Sequence, residues 1–567
     1  MGSPIDGDLL RWGKGLKAGR LYTNHPPGRA QIIFLIGICL LLYFFNLGRC
    51  DLWAPDEPRY AQIAKEIVSR GDWILMHING AVYGDKPPLF FWFVALSSYL
   101  WQGFTSFSAR FPSALFGTLT VLLTFFLGKK LYSSRMGFLS GLVLATSLHF
   151  AYLSTHANID ATLTFFTTAS LLCFFLWYQD WKTEEIRRHR RIRSLLIYGF
   201  YVSMAFATLA KGPIGFTLPL LVSLIYLFVR RDYREIRRMK LLPGIPLMVA
   251  IVLAWYLPAV FLGGKTYVEQ NLFRHTTEAY RTGWTHPHPF YYYLYSFPTA
   301  FLPWVFFLPS AIVYGWSRPM IEKRKEFLFL LVWFIVIFTF FSLSRSKRTL
   351  YLLPLFPAAS LMVGKFWSDL ISHPLDRFRR LWISIPLYGF IGLGLVAGVA
   401  VPWVISQRFP SYLFYSFPLA FLLAGCSVAL LLLYRFKNYR TIIFLLIGVM
   451  AAGYFYVFGV IFPLANSHMS ARFISEEITS RFQPGDQLAV FRGLEPDPYN
   501  YYTGIAPISW LVTRDSLHQF VRSQGRVFCL LTFSDFSQLF SREGESKVQL
   551  IARRRVRNDD VVLISNR

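Results

Sequence analysis

The chain has few charged residues for its length. Of its 567 residues, only 16% are charged, whereas 54% are hydrophobic and 18% are aromatic. A soluble domain rarely carries so much apolar surface with so little charge. The apolar residues fall into recurring runs of about 20 residues, which is the length of helix needed to cross a bilayer core of about 30 Å. The composition therefore predicts a membrane protein with many spans.

Several signatures of other classes are missing. The chain has five cysteines, none of them in a CxxC pair, which predicts neither a disulfide framework nor a cysteine metal site. It has no GxxxxGK[ST] nucleotide loop, internal repeat or low-complexity tract. The net charge of +27 does not indicate nucleic-acid binding, because the basic residues lie in short segments between apolar runs, where they determine topology.

The apolar runs predict about 13 transmembrane helices in an otherwise all-α membrane region. The predicted spans are 31–48, 109–131, 137–153, 161–180, 195–209, 214–229, 243–262, 300–316, 326–343, 349–366, 382–404, 413–434 and 441–463. Alternate connections differ sharply in charge: one set holds 31 Lys and Arg, and the short loops of the opposite set hold eight. The positive-inside rule then places the N-terminus in the cytoplasm, with the long first loop (49–108) and the C-terminal tail outside.

The chain changes character after about residue 465. The segments QPGDQLAVF, GRVFCLLTF and DDVVLISNR have the composition of short strands bounded by turn residues, and DSLHQFVRSQ between them has a helical pattern. We therefore predict a transmembrane domain over 1–465 and a small α/β domain over 466–567.

The first loop combines many charges with proximity to the membrane. Its charged residues include Asp56, Glu57, Arg59, Lys65, Glu66, Asp72, Asp85 and Lys86. The spacing from Arg59 to Arg70 predicts an amphipathic helix along the interface, with Tyr60 and Ile63 on its apolar face. An ordinary solvated surface helix is the alternative.

Other loops on the same side add charge at membrane depth. An acid such as Asp160, at the start of a span, is costly without a partner or a task, although it could also be an N-cap. Lys347 and Arg348 run against the positive-inside bias. They indicate a bound anion, unless neighbouring loops already fix the topology. His286 and His288 could bind a metal or simply form hydrogen bonds.

Carboxylates and cations around one cavity suit an amphiphile with a phosphate head and an apolar tail. The carboxylates could deprotonate an acceptor hydroxyl, and the cations could stabilise the departing phosphate. A lipid-linked phosphate donor is more plausible here than a nucleotide. A transporter or flippase is the rival class, but transporters usually show paired repeats with broken helices near the midplane. A scaffold protein would leave the acids unexplained.

Several motifs, in order and spacing, resemble one family. WAPDEPRYAQIAKEIVSRGDW, YGDKPPLFFW, SARFPSALFG, NLFRHT, HPHPFYYYL and FFSLSRSKRTLYLLPLFPA are similar to bacterial polyprenyl-phosphate sugar transferases of the aminoarabinose transferase type. These enzymes are related to protein mannosyltransferases and share the GT-C membrane fold. The resemblance is clear to about residue 360. It implies inverting transfer of one sugar from undecaprenyl phosphate to a periplasmic acceptor.

The resemblance also implies roles for individual residues. Catalytic candidates are Asp56, Asp160 and Glu57, and candidates for binding the carrier phosphate are Arg59, Lys86, Arg274, Lys347, Arg348 and Tyr351. The use of a cofactor stays open; a divalent metal would have Asp85, Glu269 and His275 as candidate ligands. Where the family has Glu before the KPP lysine and His after the later glutamate, this chain has Asp85 and Gln270, which weakens both the metal and aminoarabinose as the donor sugar.

The expected location is the bacterial inner membrane, with a periplasmic active site and C-terminal domain. The expected partners are a polyprenyl-phosphate sugar, membrane lipids, and an acceptor such as lipid A, lipopolysaccharide, another glycan or a protein.

Overall fold

The computed structural model describes residues 28–180, 190–269, 286–317, 320–372, 377–540 and 548–567. In these ranges the chain forms a large helical body, a loop region on one side of it, and a small C-terminal sheet. The first loop contacts the C-terminal sheet, so both lie on the same side of the helical body, which we call the loop side.

The helical body is built mainly from long apolar helices. The helices up to residue 269 are Arg29–Cys39, Asp56–Arg70, Leu89–Leu100, Ser106–Leu131, Ser134–Ala145, Leu148–Ser154, Ile159–Asp180, Arg190–Lys211, Ile214–Val229, Tyr233–Arg238 and Leu241–Val268. The later ones are Tyr292–Ala300, Leu308–Gly315, Arg324–Leu343, Phe356–Ser372, Arg377–Arg408, Phe417–Arg435, Tyr439–Tyr456, Phe462–Met469, Arg472–Thr479, Asp497–Thr503, Arg514–Val521 and Phe533–Phe540.

Within the described residues, nine helices are long and apolar enough to cross a membrane, and two bent helix pairs raise the number to eleven. The multi-pass character predicted from composition is confirmed. The two remaining predicted spans, 31–48 and 214–229, fall on the shorter apolar helices Arg29–Phe44 and Ile214–Val229. The count of 13 crossings therefore stays a prediction. The last span extends to Met469, a little beyond the predicted domain limit of 465.

Small residues allow two neighbouring helices to approach closely. Gly137, in the helix after Ser134, lies so near the preceding helix that a Cβ on it would sit 2.3 Å from the Phe125 carbonyl oxygen. Gly128 makes the reciprocal approach, with a virtual Cβ 2.7 Å from the Gly137 Cα. Apolar chains gain little by leaving lipid for protein, so close backbone packing of this kind is what holds membrane helices together.

The first loop folds into a compact layer. The predicted amphipathic helix is confirmed as Asp56–Arg70, with Tyr60, Ile63 and Ile67 buried. Two acids in its first turn suit the positive end of the helix dipole, and Gly71 ends it in the left-handed conformation. A short hairpin follows, in which β1 (His77–Ile78) pairs with β2 (Ala81–Val82).

The C-terminal α/β unit is also confirmed. Its five strands are β3 (Gln487–Phe491), β4 (Ser509–Leu511), β5 (Val527–Thr532), β6 (Gln549–Val556) and β7 (Asp559–Ser565), in the order β4-β3-β5-β7-β6. Strands β3, β4 and β5 are parallel, and β7 runs antiparallel to β5 and β6. Alternate residues of β3 enter apolar clusters on opposite faces of the sheet, which is why its sequence is almost continuously apolar.

Polar contacts fix this unit to the first loop. Asn79, in the turn between β1 and β2, donates to the Ile508 carbonyl at 2.9 Å and accepts from the Ile508 amide at 2.7 Å. The Tyr502 hydroxyl donates to the Leu52 carbonyl at 2.9 Å. Ile508 directly precedes the edge strand β4, so the hairpin positions that edge.

Replacing Asn79 with alanine should loosen this edge. The variant loses both hydrogen bonds to Ile508, so we expect amide exchange around Ile508 to accelerate about tenfold or more. Hydrogen–deuterium exchange with mass spectrometry measures the change. Asn558→Ala, at the exposed turn between β6 and β7, is the matched control. Unchanged exchange at Ile508 would show that Asn79 does not hold the edge.

Candidate active site

A cavity of about 700 Å³ lies where the first loop, the loop-side ends of the spans and the C-terminal unit meet. Its charged lining consists of Asp56, Arg59, Asp85 and Lys86 from the first loop, Asp160, Lys211 and Arg348 from near the helix ends, and Glu495 and Asp497 from the C-terminal unit. Most of the site residues predicted from the sequence are thus brought together, although they come from distant parts of the chain.

Asp56 and Arg348 form an ion pair at this cavity. Asp56 is the first residue of the loop helix, and Arg348 directly precedes the 3-10 helix Thr349–Leu355. The Arg348 Nη2 atom donates to Asp56 Oδ2 at 2.7 Å. Burial favours the neutral guanidinium, but the negative charge of Asp56 outweighs it, so the pKa of Arg348 lies above its ordinary value. Arg348 therefore carries its charge at any physiological pH.

Asp160 and Lys211 form a second ion pair, which is almost completely buried. Asp160 lies in the first turn of its helix, and the Lys211 ammonium donates to its Oδ1. The N-cap alternative is answered by Asn158, whose side-chain oxygen accepts from the Asp160 amide at 2.7 Å. Lys211 also lies 4.3 Å from the centre of the Tyr351 ring. Each charge at this depth has its partner, as burial requires.

Lys86 is a cavity cation whose ammonium contacts its own chain neighbour rather than a distant segment, among the residues that the structure describes. Its ammonium lies 3.3 Å from the Asp85 carbonyl oxygen and 3.5 Å from Asp85 Oδ1. Asp85 is the direct neighbour of Lys86 in the chain, and the Lys86 side chain is 27% exposed. Lys86 can therefore bind an incoming anion without breaking a contact to another part of the fold.

Arg59 faces the same cavity but already has two acidic partners. Its Nε atom lies 2.5 Å from Asp497 Oδ2, and its Nη2 atom lies 2.8 Å from Glu495 Oε2. Burial favours the neutral form, but these two carboxylates outweigh it and raise the pKa of Arg59 above its ordinary value. Arg59 thus joins the loop helix, Asp56–Arg70, to the C-terminal unit.

Glu57 lies behind Asp56 and is saturated with donors. Arg110 donates to both of its oxygens, at 2.7 and 2.8 Å, and the backbone amides of Trp53 and Ala157 add 3.0 and 2.9 Å contacts. Burial acts to raise the pKa of Glu57, but the charge and hydrogen bonds of Arg110 outweigh it and lower that pKa to about 2. Glu57 is therefore a fixed anion, unsuited to taking up a proton.

A second cavity, of about 410 Å³, shares Asp56 and Arg348 with the first. Its lining includes Lys347 and Arg557, the latter from the C-terminal unit. The Lys347 ammonium donates to the His288 carbonyl at 3.1 Å and to the Ser344 carbonyl, and its burial lowers its pKa below the ordinary value. The Asp56–Arg348 pair consequently lies where the two cavities meet.

The metal candidates do not form a site in the part of the chain that is described. Asp85 lines the first cavity, whereas Glu269 is exposed and lies 3.9 Å from Lys265. No three His, Cys, Asp or Glu side chains cluster within the described ranges. Arg274 and His275 fall in the stretch 270–285, outside the described residues. The side chains in the described ranges do not provide a set of ligands that fits a metal.

Sequence reasoning missed Arg110 and the acids of the C-terminal unit. Arg110 could have been found, because a charge inside a predicted span demands a partner. Glu495, Asp497 and Trp510 carried no comparable signal, since their place at the cavity depends on how the C-terminal unit docks.

The fold and this site define a polytopic membrane protein whose charged cavity lies at the loop side. Residues 30–268 match the family model described as dolichyl-phosphate-mannose-protein mannosyltransferase. The chain also has the fold of the crystal structure of ArnT from Cupriavidus metallidurans bound to undecaprenyl phosphate. That likeness has a TM-score of 0.79 at 20% identity and covers 95% of this chain and 98% of that one.

Two curated relatives are similar in sequence. The undecaprenyl phosphate-alpha-4-amino-4-deoxy-L-arabinose arabinosyl transferase of Aeromonas salmonicida (strain A449) is 31% identical over 366 residues, which is 64% of each chain. A second transferase of that name in Proteus mirabilis (strain HI4320) is 28% identical and covers 69% of this chain and 68% of its own length. The match spans about two thirds of these relatives. The resemblance predicted from the motifs is confirmed: the chain is similar in sequence to transferases of the aminoarabinose type and has the GT-C fold of a solved ArnT structure.

Glu57→Gln should destabilise the protein. The change leaves the buried Arg110 without a counter-charge, so we expect the apparent free energy of unfolding to fall by about 3 kcal/mol. Because the folded-state pKa is below the ordinary 4.5, this stabilisation is full above pH 4.5 and is lost as the pH falls through about 2. Denaturant unfolding of purified protein in detergent measures it.

Glu477→Gln is the matched control, since Glu477 forms an exposed pair with Arg481 on a helix. Such pairs contribute little, so this variant should change the same free energy by about 0.5 kcal/mol or less. Equal effects of the two substitutions would contradict the special role of the buried pair.

Proposed function

We propose that this protein is a membrane glycosyltransferase that moves a sugar from a polyprenyl-phosphate carrier to an acceptor at its loop side. One observation carries the proposal. A single cavity beside the apolar helices holds the Asp56 carboxylate together with cations that can bind a phosphate. Cations suit the carrier phosphate, the apolar helices suit its tail, and the carboxylate suits the acceptor hydroxyl.

The relatives support a polyprenyl carrier as the donor. The names of the curated relatives specify undecaprenyl phosphate, and the ArnT crystal structure holds undecaprenyl phosphate. We extend the carrier, but not the aminoarabinose, to this chain, because the neighbours of the KPP lysine and of Glu269 differ from that family's pattern.

The proposed reaction is a single displacement. The acceptor oxygen bonds to the anomeric carbon of the donor sugar, and its proton passes to the Asp56 carboxylate. The bond from that carbon to the carrier phosphate breaks, and its electron pair stays on the phosphate oxygen. Lys86 and Arg348 stabilise the charge that develops there. Attack opposite the leaving phosphate inverts the anomeric configuration.

The remaining candidates divide by their contacts. Glu57 is assigned to positioning, because its oxygens are occupied by Arg110 and backbone amides. Arg59 is assigned to the contact with the C-terminal unit. Asp160 assists through its pair with Lys211, next to Tyr351. Lys347 lines the second cavity, where an acceptor would approach Asp56. Arg274 stays a candidate for the phosphate.

We place the protein in the bacterial inner membrane, with its N-terminus in the cytoplasm and the C-terminal unit in the periplasm. Charge alternation supports this orientation, because the connections rich in Lys and Arg lie opposite the first loop. The acceptor is then lipid A, lipopolysaccharide or another periplasmic glycan. A protein acceptor is the alternative, favoured by the family model that matches residues 30–268.

Transfer itself is the direct test. Purified protein is incubated with radiolabelled undecaprenyl-phosphate sugars and bacterial membrane extract, and the labelled product is separated as lipid, polysaccharide or protein. A labelled product supports the transferase and identifies the acceptor class. Movement of the carrier across liposomes without any transfer would instead identify a flippase.

Asp56→Asn should abolish most of this transfer. The amide can still accept a hydrogen bond from Arg348 but cannot take up the acceptor proton, so we expect kcat to fall about 100-fold or more. Asp72→Asn is the control: Asp72 accepts from the amides of Ile74 and Leu75, a role that an asparagine oxygen can keep. Transfer that persists in Asp56→Asn would remove Asp56 from the role of base.

Lys86→Met should weaken carrier binding. The methionine keeps the length and apolar stem but lacks the charge, so the Kd for undecaprenyl phosphate should rise about tenfold or more. Equilibrium binding to protein in lipid nanodiscs measures it. Lys65→Met, in the same loop but on the Tyr501 ring and outside the cavity, should leave the Kd unchanged. An unchanged Kd for Lys86→Met would contradict its contact with the phosphate.

A further inference from the structure

The C-terminal unit presents a tryptophan to the cavity. Trp510 lies in β4, the edge strand of the sheet, and pairs on one side with Val490 of β3. It lines the cavity of about 700 Å³ and is 59% exposed. A large aromatic side chain left open to solvent loses the free energy that its burial would provide, so its place inside a charged cavity needs an explanation.

Two carboxylates of the same unit line the cavity with Trp510. Glu495 lies just before the helix Asp497–Thr503, Asp497 is the first residue of that helix, and Arg59 binds both. Each carboxylate has two oxygens and several acceptor positions, and the pairs with Arg59 use one oxygen of each. The side chain of Glu495 remains 46% exposed.

The strand that carries Trp510 is held firmly. Asn79 grips the backbone of Ile508 with two hydrogen bonds, and Val82 of the same hairpin also lines the cavity. Arg59 fixes the acids from the loop helix, on which it lies one turn after Asp56. The strand that carries the aromatic residue and the two acids are thus positioned relative to Asp56 before any ligand arrives, as a binding site requires.

A flat apolar ring in the same cavity as carboxylate acceptors matches the two faces of a saccharide. A sugar ring offers a C–H face, which packs on an aromatic ring, and hydroxyl groups at its edge, which donate to carboxylates. A polyprenyl tail would not suit this place, because charged side chains surround it. We infer that Trp510, Glu495 and Asp497 form a saccharide-binding subsite, supplied by the C-terminal unit, that selects which sugar reaches Asp56.

This inference rests on the proposed function and adds a specificity element to it. The sugar ring can belong to the loaded donor or to a glycan acceptor. A site that hydrogen-bonds hydroxyl groups discriminates strongly between sugars, because a missing or displaced hydroxyl leaves a desolvated acceptor unpaired. The C-terminal unit, rather than the membrane helices, would then determine sugar choice.

The test compares loaded and unloaded carrier on Trp510→Ala. Full-length protein in lipid nanodiscs is titrated with undecaprenyl phosphate and with undecaprenyl-phosphate glucose, mannose and 4-amino-4-deoxy-L-arabinose. If the subsite holds the donor sugar, the Kd of the loaded carrier that wild type prefers rises about tenfold, while that of undecaprenyl phosphate stays constant. Trp510→Phe, which keeps an aromatic face, should recover most of this affinity.

The acceptor source has its own readout. If the subsite holds an acceptor glycan, loaded-carrier binding is unchanged and the amount of membrane extract needed for half-maximal transfer rises about tenfold. Val512→Ala is the matched control, because Val512 is 63% exposed, two residues along the chain, and absent from the cavity lining. It should leave every value unchanged.

The outcomes separate the two proposals. If Trp510→Ala matches wild type in all three measurements, the subsite is wrong while the transferase stands. If wild type neither binds undecaprenyl phosphate nor transfers any sugar, the proposed function fails and the subsite fails with it. Trp510 is exposed, so its substitution should leave thermal unfolding unchanged, and a loss of folding cannot explain a selective effect on loaded carrier.

Discussion

The guanidinium of Arg110 and its partner Glu57 link three segments: the end of the first predicted span, the start of the loop helix, and the residues before the helix that carries Asp160. The guanidinium donates to both oxygens of Glu57, and also to the backbone carbonyls of Leu47, Cys50 and Asp51, at and just after the end of the first predicted span. Glu57 in turn accepts from the Ala157 amide, just before the helix that carries Asp160. Because the ion pair is buried, separating it would leave a charge without solvent or partner. The start of the loop helix, Asp56–Arg70, is therefore fixed against the membrane helices.

This constraint gives two neighbouring acids different surroundings. Asp56 and Glu57 are adjacent on a helix, so their side chains diverge by about 100° around its axis. With Glu57 held by Arg110, Asp56 lines both cavities and contacts Arg348. Glu57, whose oxygens are occupied by hydrogen-bond donors, thus positions Asp56, which contacts one cation and faces the cavities.

The sequence could predict that these loops share one side of the membrane region and which charged residues they bring there, because both follow from local patterns. Charge alternation placed the first loop, Asp160 and Arg348 on the same side, and residues on one side can share a cavity. The rotation of the loop helix could not be predicted, since it depends on Arg110. The partners of Arg59 could not be predicted either: Asp497 is separated from it by more than 400 positions, and no periodicity or spacing links the two. Tertiary contacts at such separation leave no trace in a single sequence.

The C-terminal unit shows the consequence of that limit most clearly. From sequence it is a small α/β domain following the last span, with nothing to connect it to the chemistry. In the fold it reaches the cavity at two levels, through the acids that bind Arg59 and through the edge strand gripped by Asn79. Each contact joins it to the same first loop that carries Asp56 and Lys86. A change in how this unit docks would therefore alter the cavity wall without touching a membrane helix. Under the proposed function, the membrane region binds a common carrier, and the C-terminal unit adapts the cavity to a different sugar.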